Sequence, residues 1–206
     1  MVYHTESSTH KDLWATNSDL NNIRQSLLDL FCQLAYQEGD FVLSSGARST
    51  YYINGKQVTL HPQGALAIGR LLFSMLPSDT QAVAGLTLGA DPIVSAVSVV
   101  STLENRPIPA LIVRKEAKGH GTKAYIEGPI LPEAAKVIVL EDVVTTGQSA
   151  MKAVTRLRDA GYTVNQVISL IDRQQGGEEY YKSVNLQFQT VFSITDIQER
   201  YKNISN

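Results

Sequence analysis

Apolar positions recur at three- and four-residue intervals through Leu20, Ile23, Leu27, Leu30 and Leu34, with Phe31 alongside, and predict one face of an amphipathic helix. The cluster Asn17-Ser18-Asp19 starts that helix and Gly39 is expected to stop it. Cys32 falls on it as a small packed residue. Two short strands, 41–43 and 51–53, follow around the turn Ser44-Ser45-Gly46, and a second helix over 62–76 opens with proline. From there the pattern alternates. Apolar runs at 82–86, 108–113, 137–140 and 164–171 read as strands, with 186–192 as a last, edge strand. Between them lie a helix at 92–103, apolar nearly all round and hence expected to be buried, and one at 147–160 with Ala150, Ala153, Val154 and Leu157 inward. Continuous apolar strands alternating with helices predict an α/β fold, a mostly parallel central sheet flanked by helices on both faces.

Residues 1–19 carry no apolar run and read as a polar extension, partly docked through Trp14, ahead of a single domain over 20–206. The 206 residues include 43% hydrophobic and 18% charged positions, which excludes wholesale disorder. A net charge of −2 argues against a globally basic nucleic-acid binder. Cys32, the one cysteine, cannot form an intrachain disulfide, and no segment reaches the roughly 18 apolar residues of a membrane helix. A cytoplasmic protein with no membrane and no nucleic-acid partner is expected. The histidines at 4, 10, 61 and 120 have no metal-ligand spacing.

Open parallel sheets bind ligands beyond the carboxyl ends of their strands. One such end reads VIVLEDVVTTGQS, residues 137–149. It delivers two adjacent carboxylates, Glu141 and Asp142, then hydroxyls, then Gly147 at the start of a helix whose first amides favour an anion. Carboxylates for ribose hydroxyls beside an anion nest suit a sugar phosphate; an acidic cap before an ordinary strand-to-helix turn accounts for the same composition. The Walker lysine and the G-x-G-x-x-G dinucleotide pattern are both missing. After the strand at 108–113, Arg114, Lys115, Lys118, His120 and Lys123 fall within ten residues with only Glu116 opposing. Cations this dense repel one another at about 1 kcal/mol per close pair in water, so an empty loop should stand open and close on a polyphosphate. A solvated basic loop or a nucleic-acid contact is the alternative, although only Tyr125 offers a stacking surface.

Glu-Asp, two hydrophobics and Thr-Thr-Gly at 141–147 resembles the phosphoribosyl pyrophosphate signature of type I phosphoribosyltransferases. Arg-Lys-Glu-Ala-Lys followed by His-Gly at 114–121 is similar to the catalytic loop of the orotate phosphoribosyltransferases. The resemblance runs from Leu20 to Ile197 and implies the type I phosphoribosyltransferase fold with a small N-terminal hood formed mainly by 20–60. It implies transfer of a 5-phosphoribosyl group from phosphoribosyl pyrophosphate to orotate, giving orotidine 5'-phosphate and pyrophosphate in pyrimidine biosynthesis. It also implies a homodimer in which the 114–128 loop reaches the neighbouring site. By the same resemblance Arg114, Lys115, Lys118 and His120 bind pyrophosphate, with Lys118, His120 and Asp142 catalytic. Glu141, Asp142, Val143, Val144, Thr145, Thr146, Gly147, Gln148 and Ser149 bind the ribose phosphate, and Tyr51, Tyr52, Thr145 and Arg173 meet orotate. Arg173 suits bidentate pairing with a planar carboxylate. Mg²⁺ would bridge substrate oxygens and keep its waters, with no direct protein ligand. Many members carry lysine where Ser44 stands and proline where Thr50 stands, and some place a lysine in the loop 85–92, which here has none. Purine or uracil phosphoribosyltransferases, and regulatory proteins that bind phosphoribosyl pyrophosphate, share the 141–147 motif.

Overall fold

The computed structural model describes residues 13–42, 46, 48–118 and 125–205. Chain order runs α1 (Trp14–Asn17), α2 (Leu20–Leu34), β1 (Tyr36–Val42), β2 (Arg48–Ile53), α3 (Lys56–Thr59), α4 (Pro62–Met75), β3 (Ala82–Leu86), α5 (Asp91–Leu103), β4 (Ala110–Val113) and β5 (Ile126–Glu127). It continues β6 (Val137–Val144), α6 (Gln148–Asp159), β7 (Gln166–Asp172), α7 (Gly177–Ser183), β8 (Gln187–Ser193) and α8 (Ile194–Ser205). Six strands form one sheet in the order β5-β4-β3-β6-β7-β8, parallel except for β5, while β1 and β2 form a separate antiparallel hairpin.

Alternation along the strands sends side chains to two cores. Val83, Ile138, Leu140, Ile168 and Leu170 face α2, α4, α5 and α8. Ala82, Ala84, Val137, Val139 and Val167 face α6 and α7. Helices α5 and α6 thus cover opposite faces. The chain leaves β3 through α5 toward β4 and leaves β6 through α6 toward β7, in opposite directions along the sheet. Neighbouring strands that diverge in this way create a crevice at their carboxyl ends, where such sheets take their ligands. That crevice lies between residues 86–91 and 144–149.

Several expectations need correction. Helix α2 ends at Leu34 with Ala35 as its C-cap, not at Gly39, because the Ala35 carbonyl accepts the N–H of Asn54 at 2.9 Å and Tyr36 already pairs with Ile53 across the hairpin. Gly39 therefore lies inside β1, which starts five residues before the expected strand. Its N-terminus is as expected: the Asp19 carboxylate accepts the Asn22 N–H at 2.9 Å, a cap of about 0.5–2 kcal/mol. The polar extension is docked at its C-terminal end. Ala15 is fully buried, Trp14 packs against the core, and Arg70 Nη1 donates to the carbonyls of Ala15, Thr16 and Ser18. Helix α5 is not buried all round: Val99 and Leu103 are 65% and 69% exposed, because the sheet covers only one side of it. The pattern named no element for α1, α3, β5, α7 or α8.

Candidate functional site

Glu141 and Asp142 belong to β6 itself, not to a loop beyond it. The strand continues to Val144, because Glu141 pairs with Ser169 and Val144 with Asp172 of the neighbouring β7. Gly147 then takes φ 81°, the left-handed conformation that suits glycine, and caps α6. Residues 143–150, Glu141 and Tyr181 line a cavity of about 70 Å³ at this turn. Its size and its ring of backbone amides suit a phosphate group. The turn is held from behind by Tyr181 of α7, which is fully buried and donates its hydroxyl proton to the Gly147 carbonyl at 3.1 Å. A methyl group on Gly147 would fall 2.9 Å from the Tyr181 ring.

The two carboxylates differ in setting. Glu141 is buried, and its Oε2 has no hydrogen-bond partner. Burial first, and the Asp142 charge second, push its pKa well above the usual carboxylate range, while Lys115 pulls the other way. Asp142 is half-buried, and its Oδ1 accepts the Val143 N–H at 2.9 Å. Across the crevice Gly89 backs directly onto it: a Cβ there would sit 2.7 Å from both carboxylate oxygens. An unpartnered buried acceptor beside a more accessible one is a ready site for sugar hydroxyls.

The basic segment begins where β4 ends. Arg114 Nη1 lies 3.1 Å from Glu127 Oε1, and Lys118 Nζ lies 3.9 Å from the same oxygen. Glu127 therefore opposes these cations, which counting charges within 114–123 overlooked. It comes back beside them because Ile126 pairs with Val113 across β5 and β4. Arg156 of α6 ties down the root by donating to the carbonyls of Arg114 and Lys115, with its guanidinium 4.1 Å from the Tyr125 ring centroid. Lys115 and Lys118 are exposed. His120 and Lys123 lie outside the described residues, as does Ser44.

At the next strand end, the Arg173 N–H donates to the Val144 carbonyl at 2.9 Å, which sets Arg173 beside the phosphate turn. Its Nε donates to Tyr51 Oη at 3.0 Å. Thr145, half-buried, lines the cavity between them and α6. Tyr52, the next residue on β2, points to the opposite face, packs on Phe41 and is 43% exposed. So Tyr51, Thr145 and Arg173 gather at one strand edge with Glu141 and Asp142, and Tyr52 turns away from Tyr51. Sequence reasoning missed Tyr181, Arg156 and Glu127. Tyr181 carries no motif, and the other two act through contacts 42 and 13 positions away.

The family model described as uracil phosphoribosyltransferase matches residues 92–199. The orotate phosphoribosyltransferase of Nostoc sp. is 74% identical over 206 residues, covering 100% of both chains. That of Synechocystis sp. is 68% identical over 183 residues, covering 89% of this chain and 92% of its own. Among solved structures, the Mycobacterium tuberculosis orotate phosphoribosyltransferase in complex with 5-phospho-alpha-D-ribosyl 1-diphosphate superposes with a TM-score of 0.72 at 33% identity, covering 85% of this chain and 99% of that one. The same enzyme in complex with Fe(III) dicitrate gives 0.76 at 36% identity, covering 85% and 98%. With full-length identity on this scale and the same parallel sheet carrying the 141–149 turn, the chain belongs to the orotate phosphoribosyltransferase family.

Proposed function

We propose that this protein transfers the 5-phosphoribosyl group of phosphoribosyl pyrophosphate to orotate, releasing pyrophosphate and forming orotidine 5'-phosphate for pyrimidine biosynthesis. The observation that carries this reading is the meeting, at one sheet edge, of a phosphate-sized turn, two carboxylates and the Arg173 guanidinium. The amides and hydroxyls of 145–149 hold the 5'-phosphate. Glu141 and Asp142 accept hydrogen bonds from the ribose hydroxyls and favour the positive charge that develops on the ring as pyrophosphate departs. Arg114, Lys115, Lys118 and His120 meet the leaving group, with Lys118 and His120 receiving its charge. Arg173 pairs with the orotate carboxylate, and Thr145 and the hairpin tyrosines border the base.

Among the described residues no group of three or more His, Cys, Asp or Glu side chains could cage a metal. The chain instead fits Mg²⁺ that arrives with its substrate: the orphaned Glu141 Oε2 and the Asp142 carboxylate would meet its water shell. Bound there, Mg²⁺ would neutralise pyrophosphate charge. A homodimer is part of the reading. Leu60, Leu88, Val99 and Leu103 are 65–69% exposed around α5, and Leu88 adjoins Gly89 of the site, so a second copy seated there would cover an apolar face next to the crevice. Among the described residues no helix is long and apolar enough to cross a membrane, and we place the enzyme in the cytoplasm.

The test is turnover with Mg²⁺, phosphoribosyl pyrophosphate and orotate, followed by the near-ultraviolet absorbance of orotate, with uracil and hypoxanthine as control bases. Consumption of orotate alone supports the reading. The match to the uracil model gives the second reading its one support, and preferential use of uracil would establish that instead.

A further inference from the structure

Arg173 and Tyr51 stand 122 positions apart, yet they form one unit. The backbone around Arg173 is pinned on both sides: its own N–H donates to Val144 O, and the Gln174 N–H donates to Asp172 Oδ1 at 2.9 Å. The side chain is half-buried, with Nε 3.0 Å from Tyr51 Oη and Cζ 4.9 Å from the Tyr51 ring centroid. Among the described residues neither terminal nitrogen of Arg173 has a hydrogen bond or ion pair.

Tyr51 is itself held. Its ring stacks on Tyr36 at 5.9 Å and 25°, and Tyr36 meets the edge of Tyr201 from α8 at 5.0 Å. The Tyr36 hydroxyl donates to Glu38 Oε1 at 3.1 Å. The Tyr51 oxygen is thereby a fixed acceptor, supported by the hairpin and the C-terminal helix together.

A guanidinium meets a planar carboxylate through one of two forks, Nε with one terminal nitrogen or the two terminal nitrogens together. With Nε–H spent on Tyr51, only the terminal fork is open, and its direction is set before any ligand arrives. We propose that Tyr51 is a positioning residue for base selection: its hydroxyl fixes Arg173 so that the terminal fork accepts a carboxylated pyrimidine and gains nothing from one without the carboxylate. The inference rests on the orotate reading above and deepens it.

The experiment measures kcat and KM on orotate at saturating phosphoribosyl pyrophosphate, and KM for phosphoribosyl pyrophosphate at saturating orotate, for wild type, Tyr51→Phe, Arg173→Gln and the double variant. Tyr51→Phe keeps the ring stacked on Tyr36, and its melting temperature reports whether the fold is intact. One hydrogen bond to a charged group corresponds to about a tenfold effect. Tyr51→Phe is therefore expected to raise KM for orotate about tenfold, more than it lowers kcat. It should leave KM for phosphoribosyl pyrophosphate in place, and add nothing once Arg173 is glutamine. An unchanged KM for orotate, an equal rise in KM for phosphoribosyl pyrophosphate, or full additivity in the double variant overturns the inference. Wild type that consumes no orotate overturns the functional reading, and the inference falls with it.

Discussion

Replacing Gly89 with alanine tests the arrangement of the crevice with a single methyl group. The new Cβ would stand 2.7 Å from Asp142 Oδ1 and Oδ2, where ordinary contacts begin at 3.4 Å, so the two must part by about 0.7 Å. Gly89 is not among the glycines with positive φ, so its backbone accepts alanine and the strain falls on the contact. Either the 86–91 turn lifts or the Asp142 side chain rotates and gives up the Val143 N–H. Displacing a reacting group by about 1 Å costs up to roughly 100-fold in rate. A loss of about 10- to 100-fold in kcat/KM for phosphoribosyl pyrophosphate is therefore expected, roughly 1.4–2.7 kcal/mol of barrier. The melting temperature should stay near wild type. Gly55→Ala is the control, since its methyl meets only Val143 Cγ2 at 3.8 Å and should leave turnover as it was. Steady-state kinetics with phosphoribosyl pyrophosphate varied, alongside thermal melts, reads all of this. Wild-type kcat/KM in Gly89→Ala would refute a role for Asp142 placement.

Two further outcomes follow from the same geometry. The buried Glu141 carboxyl, raised by burial and by Asp142, binds its proton more tightly in the folded chain than in the unfolded one. Stability from this group is therefore complete below the ordinary carboxylate range and falls as pH rises through its folded pKa. Glu141→Gln should melt higher than wild type at pH 8, at about 2–4 °C per kcal/mol for a chain of this length, with the difference fading at pH 4; a pH-independent difference would discard the argument. Tyr181→Phe removes one of the two donors to the Gly147 carbonyl and leaves it the Met151 N–H at 3.1 Å, a loss of about 0.5–1.5 kcal/mol. The phosphate turn should loosen with it, raising KM for phosphoribosyl pyrophosphate, and a variant matching wild type in both melting and KM would remove Tyr181 from the turn's support.

By itself the sequence determined the alternation of strands and helices, since buried parallel strands must be apolar throughout and the helices between them must carry an apolar stripe. Strand β3 falls where the run at 82–86 puts it. The adjacent carboxylates and the glycine at 147 were legible for a related reason: a charged pair at the edge of a core, followed by a residue free to take positive φ, is a local pattern. Tertiary structure alone decided the rest. Helix α2 stops at Leu34 because the carbonyl of its cap, Ala35, finds a partner on Asn54, and β6 runs on through Asp142 to Val144 because β7 pairs with it that far. Glu127 reaches Arg114 only through the β4–β5 pairing, Tyr181 reaches Gly147 from another helix, and Tyr51 reaches Arg173 from a separate hairpin. Each of these depends on a hydrogen bond or a close approach between residues distant along the chain. Periodicity registers which face a side chain takes, but not what it meets there.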